Sequence, residues 1–220
     1  MEWKSDNQLF ALMKRELFTA VVGDILDKMG LYHQFLPPKI QPLRDDMVLA
    51  GRAFPVLAGD TFGPPKKPFG QMLEALDDMK PNEVYVTTGA RRASALWGEL
   101  MSTRAVKLGA VGAVCDGYTR DTKGVLKMNY PTFCWGRFAQ DSSVRMQVLD
   151  YRCRIEIGEI PIRPGDIVFG DIDGVLVVPR EAEVECITRA LEKARGEKLV
   201  KKAIERGMSA VEAFKKYGIM

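Results

Sequence analysis

Histidine is nearly absent from the sequence, and this limits the chemistry that the protein can perform. His33 is the only histidine in 220 residues, so a serine–histidine–aspartate triad would have to use it. The four cysteines form no Cys-X-X-Cys pair; they are Cys115, Cys134, Cys153 and Cys186. A zinc site with the usual histidine and cysteine spacing is therefore excluded. The cysteines are predicted to be free thiols in a reducing, cytoplasmic setting.

Signatures of nucleotide, nucleic-acid and membrane binding are also missing. The sequence has neither a Walker A loop nor the GxGxxG fingerprint of dinucleotide-binding domains. It holds 32 lysines and arginines against 29 aspartates and glutamates, and its densest basic stretch, residues 198–202, falls on a helical pattern, so no nucleic-acid surface is predicted. No apolar run approaches the length of a membrane-spanning helix, and the mixed, polar residues 1–14 do not resemble a secretion signal.

The composition and the apolar patterns predict a globular protein of mixed α/β class. Hydrophobic residues make up 46% of the chain and charged residues 28%, which is ordinary for a folded domain. Apolar spacing predicts helices over residues 5–17, 19–29 (capped by Thr19), 70–79, 94–108 and 180–206, and a capping box of Ser209 with Glu212 predicts a last short one. Strand patterns cover residues 48–57, 84–88, 111–115, 132–135, 144–149, 153–157, 160–162, 167–169 and 175–178.

Acidic and basic residues at chain turns are the candidates for chemistry. A metal ion in this chain would be held by carboxylates, carbonyls and water, which suit Mg²⁺ or Mn²⁺. Asp121 and its neighbour Arg120 follow a buried strand, and Glu99 lies near the start of a helix. In alternating α/β structure, ligands bind where strand ends meet helix N-termini. The Arg-Asp pair could equally form only a local salt bridge or a helix cap.

These residue types suit a substrate with a carboxylate beside a keto group. Free backbone N–H groups at a helix start can bind the carboxylate; they belong to Gly98, Glu99, Leu100 and Met101. Arg120 could grip the carboxylate or the keto oxygen with paired donors. Asp121 could hold a divalent cation that polarises the keto oxygen.

Several stretches occur in an order that resembles the RraA-like family. That family includes 4-hydroxy-4-methyl-2-oxoglutarate aldolases, oxaloacetate decarboxylases and a regulator of ribonuclease E. The segment at 19–30, with Asp24 and Asp27, is similar to the family's opening helix. The other matching stretches are residues 95–100 (ALWGEL), 109–121 (GAVGAVCDGYTRD), 131–136 (PTFCWG), 162–175 (IRPGDIVFGDIDGV) and 178–180 (VPR). The resemblance covers residues 15–195.

The resemblance implies both a fold and an assembly. The fold would be a swivelling β/β/α domain with added N- and C-terminal helices. Residues 1–220 would form a single domain, of which residues 180–220 would be a C-terminal helical extension. The chain would assemble as a homotrimer or a dimer of trimers, with active sites at the boundaries between subunits.

The resemblance also implies the roles of the site residues. Asp121 would carry the metal, and Arg120 would bind the pyruvate moiety, helped by the loop at 98–101. Two positions depart from the pattern. Aldolase members tend to carry an acidic residue three positions after the Arg-Asp aspartate, where this chain has Gly124. Many members also have aspartate where this chain has Glu99.

The predicted function is a class II, metal-dependent lyase that acts on a small 2-keto acid. Retro-aldol cleavage of a 4-hydroxy-4-methyl-2-oxoglutarate-like substrate and decarboxylation of oxaloacetate would both give pyruvate enolate. Only the retro-aldol reaction needs a base, for which a metal-held water near Glu99 is the candidate. The chain lacks a carboxylate at Gly124, so decarboxylation would be the easier activity. The alternative is a non-catalytic regulatory protein of the ribonuclease-inhibitor type, which would bind a protein partner without turnover.

Overall fold

A mixed β-sheet forms the centre of the protein, and helices cover one of its faces. The computed structural model describes residues 2–219. Its strands are β1 (Gln41–Pro42), β2 (Leu49–Asp60), β3 (Glu83–Thr88), β4 (Ala95–Trp97), β5 (Gly112–Cys115), β6 (Tyr118–Thr119), β7 (Thr132–Cys134), β8 (Met146–Tyr151), β9 (Ile155–Ile157), β10 (Ile160–Ile162), β11 (Ile167–Asp171) and β12 (Gly174–Val178). Its helices are α1 (Asp6–Glu16), α2 (Thr19–Lys28), α3 (Met72–Asp78), α4 (Glu99–Leu108), α5 (Thr122–Lys127), α6 (Glu183–Glu205) and α7 (Ala210–Tyr217).

The principal sheet has eight strands and nearly closes on itself. Its order is β1-β7-β5-β3-β2-β11-β12, and β8 also pairs with β2. The strands β2, β3, β5 and β7 are parallel, whereas β8 and β11 run antiparallel to β2. Leu36 N–H donates to the Val175 carbonyl of β12 at 2.9 Å, and β1, a few residues later, pairs with β7. One short segment thus links the two edges of the sheet, and the predicted mixed α/β class is confirmed.

One face of the sheet and the β9–β10 hairpin enclose an apolar cluster. Successive side chains of a strand point to opposite faces, so alternate residues enter this core: Val84 and Val86 of β3 do, whereas Tyr85 belongs to the helix-covered face. The hairpin adds four buried isoleucines: Ile155, Ile157, Ile160 and Ile162. Burying one such side chain contributes about 1.5–3 kcal/mol, so β-branched residues hold the sheet closed.

The opposite face of the sheet is covered by two groups of helices. The helices α1, α2 and α6 pack on β11 and β12 through residues such as Leu9, Ile25 and Ile187. The helices α3, α4 and α5 pack on β3 and β5 with Leu76, Ala105 and other apolar residues. The second group matters for function because α4 and α5 both begin at the same edge of the molecule.

The predicted helix over residues 94–108 is wrong in its first turn. Residues Ala95–Trp97 form the strand β4, which pairs in parallel with β6, and α4 begins only at Glu99. Gly98, the N-cap, has extended backbone angles. Apolar spacing could not separate this short strand from the helix, since the pairing partner β6 lies about twenty residues further along the chain.

Two further local predictions differ from the structure. Thr19 does not cap α2 but is its first residue. Its N–H and its hydroxyl donate to the two carboxylate oxygens of Asp171 at 2.7 and 2.6 Å, so that aspartate caps the helix from β11. The six-residue helix α5 was not predicted, because one and a half turns carry no readable apolar period.

The C-terminal helix α6 begins within the core, whereas α7 is mostly exposed. The first half of α6 contributes Cys186, Ile187, Ala190, Leu191 and Ala194 to the apolar cluster around α1 and α2. The predicted capping box of α7 is confirmed: Ser209 Oγ accepts from the Glu212 N–H at 3.2 Å. No helix within residues 2–219 is long and apolar enough to span a membrane. The proposed domain limits include Met1 and Met220, which lie outside the described residues.

Candidate functional site

A cavity of about 450 Å³ lies between α3, α4 and the end of β6. Its walls are mainly apolar; they include Phe69, Met72, Leu76, Leu96, Trp97 and Met101. A cluster of polar residues occupies one part of it: Arg120, Asp121, Asp141 and Ser142. A largely apolar cleft with a few convergent polar groups is the usual form of a small-molecule site. Most of the predicted site residues meet here, since Gly98, Leu100 and Met101 also line the cavity.

The start of α4 is held rigidly against the neighbouring strands. The indole N–H of Trp97, a buried residue, donates to Ser102 Oγ at 2.7 Å, and that hydroxyl donates to the Gly98 carbonyl at 3.0 Å. The first helical N–H with a backbone partner is that of Ser102, which also reaches the Gly98 carbonyl. The preceding N–H groups, those of residues 99–101, therefore remain available to an anion. Sequence reasoning missed Ser102, because a serine inside a helix has no motif of its own.

Asp121 lies at the junction of β6 and α5 in a left-handed backbone conformation. Its φ is 55° and its ψ is 33°, a region that aspartate tolerates better than most residues. The preceding residue is fixed by the Arg120 N–H, which donates to the Trp97 carbonyl at 3.0 Å. A Cβ placed on Gly98 would lie 2.9 Å from Asp121 Oδ2. The carboxylate therefore approaches the start of α4 closely only because residue 98 has no side chain.

Arg120 is held between two carboxylates. Its Nη1 lies 3.0 Å from Asp141 Oδ1, and its Nε lies 3.8 Å from Asp121 Oδ2. The Ser143 hydroxyl donates to Asp141; this bond, and the charge of Arg120 to a smaller extent, lower the pKa of Asp141. Asp141 was missed by sequence reasoning because it comes from the loop between β7 and β8 and belongs to no motif. The guanidinium is thus oriented but still open on its cavity side.

Glu99 is the one predicted site residue that does not line the cavity. It is the first residue of α4, and its carboxyl group lies directly against Gly124 of α5. Within residues 2–219 the Glu99 carboxylate accepts no hydrogen bond and forms no ion pair. Its side chain is exposed, and its carboxyl group lies beside the first turn of the helix that Asp121 begins.

The residues at this site suit a hard divalent cation with open coordination positions. No group of three or more histidine, cysteine, aspartate or glutamate side chains is arranged around a common point in the described part of the chain, so a closed protein cage is absent there. The Asp121 side chain is 46% exposed, and its carboxylate accepts no hydrogen bond from the described residues. Mg²⁺ is commonly bound by one or two carboxylates together with water and substrate oxygens. The donor set fits that kind of ion.

Comparison with known proteins gives matches over most of the chain. The model of a family described as RraA-like, Aldolase/RraA, matches residues 19–177. A protein of Halalkalibacterium halodurans named "Putative 4-hydroxy-4-methyl-2-oxoglutarate aldolase" is 30% identical over 208 residues, 93% of either chain. Protein DlpA of Legionella pneumophila is 27% identical over 203 residues, which are 90% of this chain but 32% of DlpA. The chain therefore spans about a third of that second relative.

Solved structures share the fold. One, described as belonging to novel cellulases from microbes of the gut ecosystem, has a TM-score of 0.82 and 35% identity over 89% of this chain and 87% of its own. Streptomyces coelicolor RraAS2, described as an unusual member of the RNase ES inhibitor RraA protein family, has a TM-score of 0.78 and 21% identity over 90% and 99%. The predicted fold, with helices added at both ends of the domain, is confirmed by these likenesses.

Proposed function

Because the chain belongs to the RraA-like Aldolase/RraA family, we propose that it is a divalent-metal-dependent lyase that cleaves a C–C bond of a 2-keto acid to give pyruvate enolate. One observation carries the proposal. A guanidinium and a carboxylate, Arg120 and Asp121, stand side by side with unused hydrogen-bonding capacity in an apolar cavity. The relative with an aldolase name supports the same class of reaction.

The substrate carboxylate would bind at the start of α4. The backbone N–H groups of residues 99–101 have no partner in the helix, and they lie beside the cavity that Gly98 and Met101 line. Arg120 would donate to the same carboxylate or to the adjacent keto oxygen. Asp141 holds the Arg120 guanidinium from one side. The remaining N–H donors of Arg120 are therefore already oriented toward the substrate before it binds.

Cleavage leaves an electron pair on C3 of the substrate, and it delocalises onto the keto oxygen. Asp121 would hold a divalent cation, Mg²⁺ or Mn²⁺, which when bound supplies Lewis-acid polarisation of that oxygen. Arg120 would donate a charge-assisted hydrogen bond to the same developing oxyanion. Preorganised donors of this kind are worth about 3–4 kcal/mol each in other oxyanion sites. This stabilisation is common to retro-aldol cleavage and to decarboxylation.

The two reactions differ in their need for a base. Retro-aldol cleavage requires removal of the proton from the 4-hydroxyl group, whereas decarboxylation does not. His33 does not line the cavity, whereas the Glu99 carboxylate lies beside the helix that Asp121 begins and has no partner among the described residues. We propose that Glu99 orients a water molecule that takes this proton. Oxaloacetate and 4-hydroxy-4-methyl-2-oxoglutarate are the two substrates to compare.

The test is release of pyruvate from each of these substrates with Mg²⁺ or Mn²⁺, and again with EDTA. We expect metal-dependent release from at least one of them, and its loss in Asp121→Asn and Arg120→Lys. Asp45→Asn is the matched control, since Asp45 is exposed and has no ion pair in the described structure. Release that persists in EDTA, or in either site variant, would contradict the proposal. No release from either substrate by the folded protein would favour a different 2-keto acid as the substrate first and a regulatory binding protein second.

We also propose that residues 1–220 form one domain of this family and that the chain assembles as a homotrimer or a dimer of trimers. The family membership supports this proposal, and the incomplete ligand set at Asp121 agrees with a site that a neighbouring subunit completes. Light scattering coupled to size-exclusion chromatography would give the molar mass. A monomer at micromolar concentration would contradict the assembly.

A further inference from the structure

Gly124 lies in a place where a side chain would collide with the site. It is the third residue of α5 and one helical turn beyond Asp121, so the two positions share a face of the helix. A Cβ built on Gly124 would overlap the Cδ and both carboxyl oxygens of Glu99, and no other atoms are as near. The Glu99 carboxyl group, from α4, therefore occupies the volume that a side chain at position 124 of α5 would take.

The backbone conformation of α5 does not require glycine at position 124. It does not have a positive φ, and glycine is less favourable than alanine within a helix because it loses more backbone freedom on folding. A Cβ at position 124 would collide with the end of the flexible Glu99 side chain and not with the backbone. An alanine could therefore be accommodated without unfolding, but only if the Glu99 carboxylate moved away.

We infer that Gly124 is a positioning residue: its missing side chain leaves space for the Glu99 carboxylate next to the helix that Asp121 begins, so that Glu99 supplies a second carboxylate to the proposed cation site. This inference rests on the proposed function. The length of the side chain matters, because an aspartate at position 99 would be one methylene shorter and its carboxylate would not extend to Gly124. Two neighbouring carboxylates can hold the water molecules of one hydrated cation between them.

The experiment measures Mn²⁺ affinity by electron paramagnetic resonance, together with the thermal unfolding midpoint and pyruvate release. Gly124→Ala should weaken Mn²⁺ binding about ten-fold, the lower end of the effect of outer-shell changes at metal sites, and leave the unfolding midpoint unchanged or higher. Glu99→Asp should weaken binding similarly. The double variant Glu99→Asp with Gly124→Glu shortens the side chain on α4 and supplies a carboxylate from α5, and it should recover affinity to within about three-fold of the wild type. Lys127→Ala, exposed on α5, is the control.

The outcomes separate this inference from the proposed function. If the wild type binds Mn²⁺ and releases pyruvate but Gly124→Ala does so equally well, Gly124 has no positioning role and this inference alone is overturned. If the double variant is no better than the weaker single variant, the carboxylate does not act from that place, and the inference is again overturned. A wild type that neither binds Mn²⁺ nor releases pyruvate overturns the proposed function, and the inference with it.

Discussion

Adding a single methyl group at Gly98 should disable the site while leaving the fold intact. The Cβ of an alanine at this position would lie 2.9 Å from Asp121 Oδ2, whereas ordinary contacts of a Cβ begin at 3.4 Å. The carboxylate would have to retreat by about half an ångström, which would move it away from the start of α4. Since displacements of about 1 Å in an active site cost up to about 100-fold in rate, we expect kcat to fall about ten-fold or more.

The stability of the same variants distinguishes a local clash from a damaged helix. Gly98 is the N-cap of α4, and alanine is a poorer cap than glycine by up to about 1 kcal/mol. Gly98→Ser provides the matched comparison, because serine caps well but carries the same Cβ. We expect Gly98→Ser to unfold at or above the wild-type temperature and yet to lose activity and Mn²⁺ affinity as Gly98→Ala does. Normal turnover in Gly98→Ser would refute the steric argument.

Three further variants test the supports of the site and the fold. Asp171→Ala should lower the free energy of unfolding, measured by urea titration, by about 3 kcal/mol. The reason is that the substitution leaves the buried N–H and hydroxyl of Thr19 without an acceptor. A loss below about 1 kcal/mol would contradict this prediction. Asp141→Asn should raise KM more than it lowers kcat, since it frees Arg120 to sample other rotamers; an unchanged KM would contradict the positioning role. A hydrogen bond from Arg52 lowers the pKa of Asp6. The ionised Asp6 therefore contributes about 1 kcal/mol to the free energy of unfolding after solvent screening, and this contribution is present above the unfolded-state pKa and is lost as the pH falls through the folded-state pKa. Asp6→Asn should reduce the loss of stability at acid pH, and an unchanged dependence of stability on acid pH would contradict this prediction.

Much of the site could be predicted from sequence because its central elements are local. Arg120 and Asp121 are adjacent, and the segment from Gly98 to Met101 is continuous, so their types and their turn positions can be read directly. The longer strands were predicted for a related reason, since unbroken apolar runs such as that of β5 are buried on both faces, whereas the two- and three-residue strands β1, β4 and β6 were missed. These features depend on neighbours in sequence, which is the only kind of neighbour that a pattern reveals.

The parts that escaped prediction depend on contacts between distant segments. Asp171 caps a helix that lies 152 residues earlier in the chain, and Asp141 reaches Arg120 from a separate loop. The strand β4 exists because β6 pairs with it. None of these pairings leaves a trace in spacing or composition, since a polar residue in a loop looks the same with or without its partner.

Glu99 and Gly124, the two positions at which this chain departs from the family pattern, are in contact in the structure. Read separately, Gly124 removes a carboxylate from the site and Glu99 carries a longer side chain than the pattern requires. In the structure the carboxyl group of Glu99 lies where the side chain of residue 124 would begin, so the extra methylene on α4 spans the space that the glycine leaves on α5. The family pattern places acidic residues at both positions, whereas this chain has one, Glu99, whose carboxyl group lies in the space between the two helices. If the Glu99 carboxylate acts from that space, its longer side chain compensates for the missing carboxylate at position 124 in aldolase activity.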